Sequence, residues 1–423
     1  MRITEAHIKN FKGIDEWNFT FRPGFNLIKG ENGKGKTSIL EALAVGLGGF
    51  LAGIEGVAAR HFSKEEIRRQ YLMTGEGSCS CAYQVPVEVA LTAEFPEQNK
   101  MISWTRGRSS IQASRSTIQP REIVKLAEQM SNQQDTCLPI ICYQGAGRVW
   151  SQKRDKVQDV FRKRYTRTVG YTDTLSEASN IKLLLNWCVK MEQVAWQKET
   201  KIAEYEAVKK AVSDFMGYMD HGEQYEIFYD KQLEELMYRE KEVIQPVSNL
   251  SAGYQSLIWM VFDIAYRMAV LNPFLLSQVT ETAGIVLIDE LDMHLHPKWQ
   301  WKVIDALRQT FPKVQFIATT HAPILFASAK NVWLIDIEQE EIQYSHSHYG
   351  LDVNSSVKQY QGEYDLPEEV GKDVEAFSDA MDAEDFQTAK IFLDKLADST
   401  SPEFPLIAGL RARYEIETSW PEE

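Results

Sequence analysis

Eight residues, GENGKGKT at Gly30–Thr37, constrain this chain more than any others. They satisfy G-x-x-x-x-G-K-[ST] and sit between a strand-like run ending at Lys29 and a run, Ile39, Leu40, Leu43, Leu47, that falls on one helical face. Strand, glycine loop and helix in that order make a nest for phosphate. The glycines let backbone N–H groups curl round the anion, Lys36 carries charge to the β/γ-phosphates, Thr37 offers a hydroxyl to Mg²⁺, and the helix N-terminus favours negative charge. Asn32, Gly33, Gly35 and Ser38 complete the expected contacts. Such a loop needs a parallel sheet behind it. Residues 281–340 supply the alternation: strand GIVLIDE, helix Pro297–Thr310, strand VQFIATT, a short helix, strand NVWLIDI.

Within that alternation, GIVLIDE delivers Asp289 and Glu290 at the carboxyl edge of a buried strand. Asp289 is the expected Mg²⁺ ligand, and Glu290, one position on, is placed as the base that polarises an attacking water. Farther back, LSAGYQ at Leu250–Gln255 precedes an apolar helical run, putting Ser251 and Gly253 at a helix N-terminus, a second anion site.

The remaining elements read as follows. Residues 1–10 and NFTFRPGFNLIKG predict three strands of a β-rich N-terminal lobe. Gly46, Gly48 and Gly49 are expected to loosen the end of the helix after the glycine loop. Ser63–Leu72 reads as a helix, QVPVEVALTAEF as a strand, Arg106–Gln119 as a mobile loop, and Thr174–Asp214 as one long helix or a pair. These give an α/β chain divided at 1–149, a helical insertion at 150–248, a second half at 249–350, and an acidic helical tail at 351–423.

Charge sharpens the last boundary. The chain carries 46 Lys/Arg against 60 Asp/Glu, net −14, which excludes indiscriminate binding to nucleic acid or anionic membrane. Residues 363–423 alone hold seventeen acidic and five basic side chains, on two expected helices, one from Asp382 and one from Ser401-Pro402. They are either a docking element for a partner or a cover for the sheet edge. Arg148–Arg167, with eight Lys/Arg, is either a DNA-backbone patch or a solvated helix face. His294/His296 and His346/His348 lack further ligands at zinc spacing, and five scattered cysteines with no secretory leader point to reduced thiols in the cytoplasm. The longest apolar run, from Leu257, is interrupted by Asp263 and Arg267, well short of the ~18 residues a membrane span needs.

Taken together, GENGKGKT, LSAGYQ, GIVLIDELDMHLHP and TTHAP, in that order, resemble the ATP-binding-cassette head shared by SMC, RecF and OLD proteins. The resemblance implies ATP and Mg²⁺ as ligands, ATP hydrolysis, and a homodimer or higher homo-oligomer in which Ser251 and Gly253 reach the γ-phosphate held by the other subunit. It assigns the γ-phosphate switch to His321 and a nucleotide contact to Lys12 of NFKG. From ICYQGAGRVW it takes Gln144 as the Mg²⁺ and water contact. Tyr254 departs from the family pattern, which carries glutamine there. GLDVNSSVKQY and the small tail are similar to stand-alone bacterial ATPases of anti-phage systems, of the PtuA or AriA sort, which implies control of a separately encoded nuclease effector. A RecF-like ATPase acting on DNA is the second expectation and a transporter's nucleotide-binding subunit the third.

Overall fold

The computed structural model describes residues 1–74, 78–113, 115–147, 166–176, 180–220, 224–338, 341–351, 368–399 and 405–419. In chain order the first elements are β1 (Arg2–Phe11), β2 (Ile14–Thr20), β3 (Phe25–Lys29), α1 (Lys36–Leu51), β4 (Arg69–Thr74), β5 (Ser78–Tyr83), β6 (Val87–Phe95), β7 (Lys100–Arg108), β8 (Thr117–Gln119), α2 (Glu122–Asn132) and β9 (Ile140–Gln144). The middle holds α3 (Ile181–Lys198), α4 (Ala203–Met219), β10 (Tyr225–Asp230), β11 (Glu235–Glu240), β12 (Val243–Pro246) and α5 (Ala252–Leu271). Then come β13 (Gly284–Ile288), α6 (Pro297–Gln300), α7 (Val303–Thr310), β14 (Val314–Thr320), α8 (Pro323–Ala327), β15 (Val332–Asp336) and β16 (Gln343–His346). Three helices close the chain: α9 (Glu368–Asp382), α10 (Phe386–Ser399) and α11 (Pro405–Ser419).

Two large sheets enclose α1. One is antiparallel, ordered β2-β1-β6-β7-β8; β6 alternates buried and half-buried residues along its whole length, as a strand with one face in the core must. The other is ordered β16-β15-β3-β14-β13-β9, parallel except for the edge strand β16, and β3, β9, β13 and β14 are buried at every position. Sandwiched between them, α1 is apolar almost all round and packs against β1, β6 and β7 on one side and β13 and β14 on the other.

The glycines of α1 do not loosen it; the helix runs through them to Leu51. They let it approach the antiparallel sheet. A Cβ at Gly46 would lie 2.6 Å from Leu91 of β6, and one at Gly49 2.5 Å from Trp104 of β7, whose indole N–H donates to the Gly46 carbonyl at 2.9 Å.

Other expectations need correction. Ser63–Leu72 is no helix: it turns through Lys64–Ile67 into β4, where Gln70 and Tyr71 pair with Ala82 and Cys81. The span 150–248, expected to be helical, holds a helical pair and the antiparallel sheet β10-β11-β12. There Tyr225, Ile227 and Tyr229 alternate inward with period two, the signal for a half-buried strand. The single helix expected over Pro297–Thr310 breaks at Trp301–Lys302 into α6 and α7.

The described part of Leu351–Glu423 is a separate unit with its own small core of Phe377, Ala380, Met381, Ala389 and Leu393, and it has three helices where two were expected. Among the described residues no helix is long and apolar enough to cross a membrane.

Candidate nucleotide site

The carboxyl ends of β3, β13 and β14 converge, and every strong motif of the first 350 residues except the LSAGYQ turn lies there, in the place where open parallel sheets bind ligands. β3 ends at Lys29, whose ammonium is fixed by Asp336 at 3.0 Å and Glu338 at 2.9 Å, anchoring the glycine loop to the end of β15. The loop needs left-handed backbone at Gly33 (φ 84°) and Gly35 (φ 95°), where an L side chain is strained, and a Cβ at either would meet nothing within 4 Å. The cradle is therefore open at the points where phosphate approaches. Gly35 caps α1, so the first turn of that helix presents its unbonded N–H groups to the same space.

Lys36 is buried, and its Nζ donates to the loop's own carbonyls, Gly30 at 2.5 Å and Glu31 at 2.9 Å, with His321 Nδ1 at 3.4 Å. Burial lowers its pKa, opposed by the negative field of Asp289, Glu290, Asp292 and Glu338. Thr37 Oγ1 donates to Asp289 Oδ2 at 2.9 Å. Asp289, only 2% exposed, accepts at its other oxygen from Thr319 Oγ1 at 2.6 Å. Thr319 in turn accepts from the backbone N–H of Glu290 at 2.8 Å, and Glu290 sits at φ 49°. A hydroxyl and a carboxylate side by side are hard oxygen donors suited to Mg²⁺.

His321 follows β14 directly. Its backbone N–H and the Thr320 hydroxyl both donate to Asp292 Oδ1, at 3.2 and 2.5 Å, which ties the backbone at His321 to the loop after β13. Lys36, Thr37, Asp289, Glu290 and His321 are thus brought together as the sequence predicts. Ser251 is the exposed N-cap residue of α5 and its hydroxyl makes no capping bond, while Gly253 is buried against the carbonyl of His294. Asn32 and Gly33 are exposed on the loop and Ser38 is half-buried in the first turn of α1.

Two expected contacts have carboxylate partners in this structure. Gln144 ends β9 beside the site, and its carbonyl accepts from Asp289 N–H at 2.8 Å. Its side-chain amide, however, donates to Asp263 at 2.7 Å and Cys142 at 3.1 Å, within a buried cluster completed by the Arg267–Asp263 ion pair at 2.9 Å. Lys12 pairs with Glu41 on α1, and Arg60, held by Glu66 at 2.9 Å, reaches the same Glu41 at 4.0 Å. In both, a carboxylate engages the side-chain donor, and hydrogen bonds to an ionised acceptor are strong.

Of the basic segment at 148–167, residues 148–165 lie outside the described set. Arg167 donates to the backbone carbonyls of Met130, Gln133 and Thr136. His296 accepts from Lys298 N–H at the start of α6, His346 lies edge-on to Trp333, and no metal cluster is present among the described residues.

A family model described as AAA domain matches residues 5–245, more than half of the chain, and a second AAA-domain model matches 204–327. The chain belongs to the AAA-domain family of ATPases. This AAA-domain ATPase is similar to "Retron Vc95 probable ATPase" of Vibrio cholerae serotype O1 biovar El Tor, 25% identical over 388 residues and covering 78% of this chain and 72% of the relative. It is also similar to "Retron Ec83 probable ATPase" of Escherichia coli, 23% identical with 79% and 71% covered. "Septu protein PtuA" of Bacillus thuringiensis is 24% identical, with 77% and 73% covered. Among solved structures, an SMC head bound to the C-winged helix domain of ScpA aligns with a TM-score of 0.49 at 17% identity, over 82% of this chain and 98% of that one.

Sequence reasoning missed Thr319, Asp292 and Asp263. Thr319 and Asp292 lie inside motifs quoted for other residues, TTHAP and LIDELD, so the signal was present and unweighted. Asp263 reads in the sequence only as an interruption of an apolar run.

Proposed function

We propose that this AAA-domain ATPase binds ATP and Mg²⁺ at the glycine loop, closes as a homodimer around two ATP molecules, and reopens on hydrolysis. The supporting observation is the continuous hydrogen-bonded set Thr37–Asp289–Thr319–Glu290 beside the Lys36–His321 pair. Lys36 exchanges the Gly30 and Glu31 carbonyls for the β/γ-phosphates, while Thr37 and Asp289 hold the metal. Bound Mg²⁺ neutralises charge that develops on the phosphate oxygens. Glu290 takes a proton from water as its oxygen bonds to the γ-phosphorus and the bond to the β-γ bridging oxygen breaks; His321 faces the γ-phosphate. Ser251 and Gly253 cap the other subunit's nucleotide.

The relatives named as retron and Septu components support a further reading: a cytoplasmic ATPase whose cycle controls a separately encoded nuclease in anti-phage defence. Mixed dimers test the composite site. A Lys36→Ala subunit combined with a Ser251→Ala subunit retains one intact site, so ATPase activity returns in part; no recovery in verified mixed dimers contradicts the arrangement. Co-purification of the product of a neighbouring nuclease gene tests the effector role, and neighbouring permease genes would overturn it.

A further inference from the structure

Tyr254 stands where the family pattern carries glutamine, and here its ring meets a tryptophan. Tyr254, in the first turn of α5, lies edge-on to Trp299 of α6 with ring centroids 4.4 Å apart and planes at 70°, the geometry favoured by aromatic quadrupoles. Tyr238 of β11 closes the other side at 6.0 Å. One residue earlier, Gly253 touches the loop after β13 so closely that a Cβ would sit 2.5 Å from the His294 carbonyl oxygen. The turn that carries Ser251 is therefore packed onto residues 291–299 of its own chain. That segment is itself stiff: Trp299 N–H donates to the His296 carbonyl at 2.8 Å, and the Gln300 amide to that of Leu295 at 3.2 Å. Its other end holds His321 through Asp292, and Leu291 N–H is bonded to the Thr319 carbonyl at 2.9 Å.

We propose that Trp299 is a positioning residue: through Tyr254 it fixes the Ser251–Gly253 turn to the segment Leu291–Trp299, whose Asp292 sets His321. The part of the chain that meets the other subunit's nucleotide and the part that hydrolyses its own then shift as one body. Packed contacts of this kind have discrete arrangements and transmit a displacement where a loose loop would absorb it. The inference rests on the closed dimer proposed above and adds a link between its two sites.

The test uses the full chain with Trp299→Leu, which removes the ring contact, and Trp299→Phe, which keeps an aromatic edge. Trp299→Leu lowers kcat about tenfold and flattens the dependence of rate on ATP concentration, with ATP affinity measured calorimetrically in the Glu290→Gln background within about twofold of the parent. Trp299→Phe recovers most of the lost rate. Asp292→Asn, which keeps an oxygen acceptor for Thr320 and His321, outperforms Asp292→Ala. The proposal is overturned by full turnover in Trp299→Leu, by Trp299→Phe behaving no better than leucine, or by affinity, melting temperature and kcat falling together. Light scattering of Glu290→Gln with ATP separates the two levels. A monomer there refutes the dimer and this proposal with it, whereas an intact dimer with unaltered Trp299→Leu turnover refutes the link alone.

Discussion

Replacing Thr319 with valine removes one hydroxyl and almost no volume, yet that hydroxyl joins the Asp289 carboxylate to the Glu290 backbone N–H. Thr319 is fully buried in β14; it donates to Asp289 at 2.6 Å and accepts from the Glu290 backbone at 2.8 Å. Valine deletes a hydrogen bond to a buried carboxylate, about 1.5–3 kcal/mol, and leaves the Glu290 N–H without its acceptor at a further ~1–3 kcal/mol. Relaxation and partial hydration reduce the sum, so a stability loss of about 2–4 kcal/mol is expected in urea unfolding monitored by fluorescence. The same change frees Glu290, held at φ 49°, to drift. If about 1.4 kcal/mol of that loss reappears in the transition state, kcat falls about tenfold. Steady-state phosphate release measures it, and Thr319→Ser, which keeps the hydroxyl, restores most of the rate. Turnover of Thr319→Val within twofold of the parent, with stability unchanged, would refute the role given to this hydroxyl.

Three further outcomes follow from the same geometry. Lys36→Ala removes the cation that faces the cradle and abolishes measurable ATP binding by calorimetry, while the fold, judged by circular dichroism, is retained. Asp263→Ala leaves Arg267, whose side chain is 5% exposed, with only the Gly170 and Thr172 carbonyls as partners among the described residues, and costs about 3–5 kcal/mol in urea unfolding; a loss below ~1 kcal/mol would refute a stabilising role for the ion pair. Truncation after Gln361 removes helices that have their own core, so ATPase activity stays within about twofold of the full chain; insolubility or loss of ATP binding would make the tail part of the ATPase body.

What could be read from the residue string follows from how local each signal is. The glycine loop, the acidic strand end and the switch histidine are contiguous motifs whose residue types are dictated by chemistry at one atom, so Lys36, Thr37, Asp289, Glu290 and His321 were legible. The parallel strands were legible because burial on both faces demands unbroken apolar runs such as Ile285–Ile288. Partnerships across long sequence separations were not. Gln144 resembles a metal contact by motif, but 119 residues later Asp263 on α5 claims its amide. Lys12 is held by Glu41 for the same reason. The glycines of α1 read as breakers because propensity penalises them, and only the approach of β6 and β7 shows why they are needed. The sheet β10-β11-β12 was hidden because the helical periodicity before it dominated the segment.

Glu290→Gln tests the central claim most directly. Glutamine keeps the shape and the backbone hydrogen bond to Thr319 but cannot accept the water's proton. Mixed with ATP and Mg²⁺ and followed by size exclusion with light scattering, alongside phosphate release, this variant is expected to double in mass, hold uncleaved ATP, and turn over at least about a hundredfold more slowly than the parent. A variant that hydrolyses ATP at the parental rate, or that binds ATP and remains a monomer, would contradict an ATP-closed dimer with Glu290 as its base.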